Sequence, residues 1–95
     1  MSRAELSGRC FGRFFIKIED IFKRETLVRE LMKDVLVLDA RWSAAMQSVE
    51  YVGLSKEDFT EVPESQEARG YRVEVVTKQI GNESRVTGFR FVPCE

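Results

Sequence analysis

The side chains that could carry chemistry are few, and their spacing works against it. The chain of 95 residues has no histidine. That removes the commonest general base, the usual activator of a Ser or Cys nucleophile, and the imidazole ligand of most zinc and iron sites. The two cysteines, Cys10 and Cys94, stand at opposite ends, too far apart for a CxxC zinc knuckle. In a reducing compartment both are expected to stay reduced. Two carboxylate pairs, Glu19-Asp20 and Glu57-Asp58, are adjacent in sequence. Adjacent side chains point to different sides of a helix or strand, which makes a poor acid–base dyad and a poor metal cage. Gly81-Asn82-Glu83 lacks the spacing of a phosphate loop. The residues therefore predict no catalytic site, no cofactor and no bound metal.

Binding is the class that remains, and three groups of residues could serve it. Arg41 and Trp42 are neighbours at the end of an apolar run, and both types are enriched at interface hot spots; the alternative for the chain's one tryptophan is packing in the core. Tyr51 and Phe59 flank a loop and could form a shallow apolar patch, unless Phe59 instead pins the loop down. Within residues 55–67, Glu57, Asp58, Glu61, Glu64 and Glu67 face only one cation, Lys56. The whole chain carries a net charge of −1, so this segment could steer a basic partner, or it is a solvated mobile loop. The near-zero net charge argues against a dedicated nucleic-acid binder. A second possibility, binding of nucleic acid or a charged nucleotide, stays open through Arg9, Arg13, Arg72 and Arg90, which interleave with phenylalanines as in single-strand binding platforms. Strand alternation would put those rings and cations on opposite faces, with Arg90 paired to Glu74.

The elements that must position these groups read as a single α+β domain spanning residues 1–95. Tyr71–Ile80 and Arg85–Val92 are β-rich runs around a Gly-Asn turn, a C-terminal hairpin. Odd-numbered Tyr71, Val73, Val75, Phe89 and Phe91 share a face only if paired numbers sum to an even value. Pairing Ile80 with Ser84 does this, leaving the three-residue loop Gly81-Asn82-Glu83 and setting Val75 against Phe89, Val73 against Phe91 and Glu74 against Arg90. An amphipathic helix is predicted over about residues 24–33, with a start as early as Glu19, from Leu27, Val28, Leu31 and Met32 on one stripe. Residues 28–49 also carry a three–four repeat that would suit a longer helix. The dense run Val35–Leu38, typical of a central strand, and the β-rich Ser48–Val52 favour strands near 35–42 and 47–53. Residues 10–18 alternate weakly and are expected as an edge strand. The expectation is an antiparallel sheet of four to five strands packed by one amphipathic helix.

The stretches Val49–Ser55, Phe59–Glu64 and Tyr71–Glu74 resemble a pattern in small uncharacterised phage and prophage proteins. The resemblance covers residues 27–75 and implies a short helix, a strand at Val35–Arg41 and an acidic Pro-containing loop. It implies no active site, and Ser65–Gly70 departs from the more Pro-rich connection of that pattern. On this resemblance the chain is expected to be a phage accessory or host-defence-modulating protein that binds a protein partner. Homodimerisation is a further expectation, because a small sheet leaves open edges. The N-terminus lacks the apolar stretch of a signal peptide and no run is long enough to cross a bilayer, so a cytoplasmic setting is expected.

Overall fold

The computed structural model describes residues 10–63 and 66–94. The elements are β1 (Phe11–Lys17), α1 (Ile18–Lys23), α2 (Glu25–Met32), β2 (Leu36–Ser43), β3 (Ser48–Leu54), β4 (Arg69–Ile80) and β5 (Glu83–Pro93). The five strands form one sheet in the order β2-β3-β1-β4-β5. The protein is α+β, with the C-terminal hairpin in place.

The sheet is mixed rather than antiparallel, and the cause is β1. This strand, expected at an edge, is the middle one. It pairs antiparallel with β3 from Phe11↔Leu54 to Lys17↔Ser48, and parallel with β4 at Gly12↔Arg69 and Arg13↔Gly70. Phe14 and Ile16 are 0% and 2% exposed, burial that a central strand under helices provides more readily than an edge does. Because β3 ends beside Phe11 and β4 starts beside Gly12, the chain skips over β1 between them. Skipping one strand of an antiparallel run makes β4 parallel to β1.

The expected single helix is two. The chain breaks at Arg24, with φ −128° and ψ 41°, and the Arg24 amide still donates to the Asp20 carbonyl at 2.8 Å. Ile21 from α1 and Val28, Leu31 and Met32 from α2 pack on the Phe14 face of the sheet. After Met32, whose carbonyl accepts from the Val35 amide at 3.0 Å, the chain turns into β2. The three–four repeat therefore does not continue as helix. The Val35–Leu38 run misleads in a second way: β2 is an outer strand, and every residue from Leu36 to Trp42 is exposed.

In the C-terminal hairpin Val75↔Phe89, Val73↔Phe91 and Glu74↔Arg90 pair as the parity argument requires. The turn does not. Ile80 pairs with Glu83, leaving the two-residue loop Gly81-Asn82, and a bulge between Val76↔Gly88 and Thr77↔Val86 absorbs the change of parity. Gly81 sits at φ 63°, the left-handed value a II′ turn demands at its first central position. The buried face is shorter than expected, since Val75 is 47% exposed.

The core is aromatic. Phe91 meets Phe14 edge-on at 4.7 Å and Phe59 at 5.0 Å, and Phe59 lies 4.7 Å from Tyr71. The Phe59 ring rests directly on the β1 backbone: a Cβ at Gly12 would come within 2.6 Å of it. No disulfide joins Cys10 and Cys94. Among the described residues no helix is long and apolar enough to cross a membrane.

Candidate partner-binding surfaces

Residues 55–62, the first part of the expected loop, are held down by buried side chains and hydrogen bonds. Ser55 is buried, its amide donates to the Cys10 carbonyl at 3.0 Å, and its carbonyl accepts from the Phe59 amide at 3.1 Å. Its Oγ accepts from the Asp58 amide at 3.0 Å and donates to Asp58 Oδ2 at 3.1 Å, so one hydroxyl ties down both the backbone and the side chain of Asp58. Phe59 is 4% exposed and Val62 is buried, so Phe59 pins the loop rather than forming a surface patch. The Tyr71 hydroxyl accepts from the Thr60 amide at 2.9 Å and anchors the next step of the chain. Glu57 and Glu61 are exposed on this frame. Glu64 lies outside the described residues.

The anchored turn brings Glu57 and Asp58 against α2 and β5. Between them lies a groove of about 490 Å³, whose lining includes Leu27, Leu31, Phe89 and Phe91 together with Glu30, Asp34, Glu57 and Asp58. Two cations, Lys33 and Arg90, also line it. Both are already engaged: Lys33 Nζ donates to Glu30 at 2.8 Å, and Arg90 donates to Glu74 at 3.2 Å. The hydrogen bond from Lys33 to Glu30, then their mutual attraction, raises the Lys33 pKa. The groove thus combines half-buried apolar side chains with an excess of carboxylates, of which Glu30, Asp34 and Glu57 are exposed. Glu30 and Asp34 belong to it although neither stood out in the sequence, because their neighbours in the groove are distant along the chain.

Arg41 and Trp42 are elsewhere, on β2. Trp42 is 55% exposed, so it is not a core residue, and Arg41 Nε donates to Asp39 Oδ2 at 2.9 Å. Leu36 at 63%, Leu38 and Met46 add exposed apolar area on the same strand and its turn, a concentration unusual for a strand edge. Tyr51 belongs to neither surface. It is half-buried and stacks on Phe14 at 5.4 Å, and burial raises its phenol pKa. The residues proposed for binding therefore divide: Glu57 and Asp58 at the groove, Arg41 and Trp42 on the outer strand, Tyr51 and Phe59 in the core.

The basic residues fare differently from expectation. Arg9 lies outside the described residues. By strand alternation Phe11, Arg13, Phe15 and Lys17 share the face opposite Phe14, so rings and cations are not segregated on β1. Yet Arg13 lies 4.0 Å from Glu67, and Arg72 and Arg90 flank Glu74 at 3.1 and 3.2 Å. The adjacent carboxylates are also occupied: Glu19 with Lys23 at 3.1 Å and Asp20 with Arg24 at 2.6 Å. The hydrogen bond from Lys23, then its charge, lowers the Glu19 pKa. Comparison of the chain with protein-family models, curated proteins and solved structures finds no match.

Proposed function

We propose that this protein is a non-enzymatic protein-binding module that receives a basic segment of its partner in the groove between α2, β5 and the Ser55 turn. The observation that carries the reading is the convergence of Glu30, Asp34, Glu57 and Asp58 around Leu27, Leu31 and Phe89. The apolar side chains supply the buried contact, and the excess of carboxylates over cations around them raises the encounter rate with a basic partner. The resemblance over residues 27–75 adds a phage accessory or defence-modulating role to the proposal. The test is an affinity capture from the native host, read by mass spectrometry with and without nuclease. The triple variant Glu30→Gln, Asp34→Asn, Glu57→Gln serves as the control. A protein held by the wild type, nuclease-resistant and lost with the triple variant supports the reading; capture indifferent to the three substitutions refutes it.

A second reading is nucleic-acid binding on the opposite sheet face, favoured by Phe11 and Phe15 interleaved with Arg13 and Lys17. It ranks lower because Arg13, Arg72 and Arg90 each have a carboxylate beside them. Nuclease-sensitive capture would favour it over the groove.

A further inference from the structure

Among the described residues, the outer strand β2 has a strand neighbour on one of its two backbone edges and none on the other. It also exposes Leu36, Val37, Leu38 and Trp42. Edge strands are commonly protected by charges, and β2 carries two, Asp39 and Arg41. Those two charges are of opposite sign and lie symmetrically about Ala40. That symmetry identifies an occupant. We infer that β2 pairs antiparallel with β2 of a second copy, on a two-fold axis at Ala40.

The register comes from parity and charge. A two-fold axis perpendicular to a sheet sets each residue opposite its own equivalent at the centre, so paired numbers must sum to an even value. Centring on Asp39 sets two carboxylates face to face, and centring on Arg41 does the same with two guanidinium groups; like charges directly opposite are destabilising. Centring on Ala40 places Asp39 opposite the partner's Arg41, twice. Leu38 then stands at the level of the partner's Trp42, again twice. Leu38 is the extra residue of the bulge toward β3, between Val37↔Gly53 and Asp39↔Val52, so the regular part of the new ladder runs through Asp39, Ala40 and Arg41. Within one chain Arg41 already bonds Asp39 at 2.9 Å, so both side chains are extended on one face and need only exchange partners. The result is a ten-stranded sheet with both pairs of helices on one side and two acidic grooves per assembly. The inference uses a different surface from the groove and stands or falls separately from it.

Charge reversal tests the register. Sedimentation of the wild type across a tenfold dilution series should show a mass rising from 11.0 kDa toward twice that value. Asp39→Arg and Arg41→Asp should each stay at the monomer mass at the concentrations where the wild type is dimeric. Mixing the two variants should recover the dimer, because every cross-strand position then pairs Arg with Asp. Trp42, the one tryptophan in the chain, reports independently: its acrylamide quenching should fall as the wild type associates. Both substituted positions are exposed, and unchanged circular dichroism checks that the variants fold. A wild type fixed at 11.0 kDa at every concentration overturns the inference. So does a wild-type dimer that either single variant retains, or a mixture that remains monomeric.

Discussion

The two outer strands of the sheet, β2 and β5, meet the same problem with opposite solutions. β5 carries Glu83, Arg85 and Arg90, ends in Pro93 and bulges at Thr87, while Phe89 and Phe91 turn inward to the core. Charges, proline and bulges are the usual means of discouraging edge-to-edge pairing. β2 is also bulged, but its apolar side chains face solvent and its two charges complement each other under two-fold symmetry. A polar, broken edge is built to remain alone. The β2 edge instead presents apolar side chains and two charges placed symmetrically about Ala40, the features on which the proposed pairing rests.

The largest effect should fall on β5. Phe91 contacts Phe14, Phe59 and Tyr71, so Phe91→Ala should cost about 3–5 kcal/mol in denaturant melts. Trp42→Ala on β2, measured where the protein is monomeric, should cost less than about 1 kcal/mol, as for an exposed position. Comparable losses from the two would erase the contrast between the strands. A smaller effect is expected for Arg90→Ala, at most about 1 kcal/mol, because its pair with Glu74 is solvent-exposed. A larger cost there would mean that β5 depends on its charges for stability and not only for isolation.

The smallest effect concerns Tyr51, which joins the two regimes by pairing with Ala40 on β2 and stacking on Phe14. Burial raises its phenol pKa above the ordinary value near 10. The unfolded chain therefore ionises first. The stability tied to the neutral phenol is fully present below about pH 10 and is lost as pH rises through the higher folded value. Lys33 acts in the same direction, so the comparison must be with Tyr51→Phe, which keeps the Lys33 contribution. Urea melts on the alkaline side should decline more steeply for the wild type than for Tyr51→Phe. Superimposable curves would show that β2 and β3 leave this ring to solvent.

The hairpin pairings at Val73, Glu74 and Val75 are legible in the sequence because alternation and a Gly-Asn turn constrain each other locally. The turn itself differs by one residue because a bulge at Thr87 has no strong sequence marker, and parity alone cannot tell a three-residue loop from a two-residue loop with a bulge. The position of β1 is hidden for a different reason. Phe11, Phe14, Ile18 and Ile21 fit a helical period while Phe14, Ile16 and Ile18 fit a strand, and nothing local says whether a strand is central. Val35–Leu38 shows the reverse failure, since a dense apolar run is the usual mark of a buried strand, yet here it enters an outer strand with Leu36, Val37 and Leu38 exposed. The groove is half legible: the acidity near Glu57 is evident, but its meeting with Glu30 and Asp34 depends on tertiary contacts that a linear reading cannot supply.

The middle strand is also the first of the five to leave the ribosome. β1 carries Phe14 and Ile16 into solvent before either of its neighbours exists, for β3 begins only at Ser48 and β4 at Arg69. The two hairpins close through short loops, whereas seating β1 between them requires ends far apart in the chain to meet, and that closure entropy grows with the span. The kinetic cost of assembly therefore falls on the strand that contributes most to the finished core. Until it docks, a nascent chain presents two apolar strands instead of one to whatever it encounters.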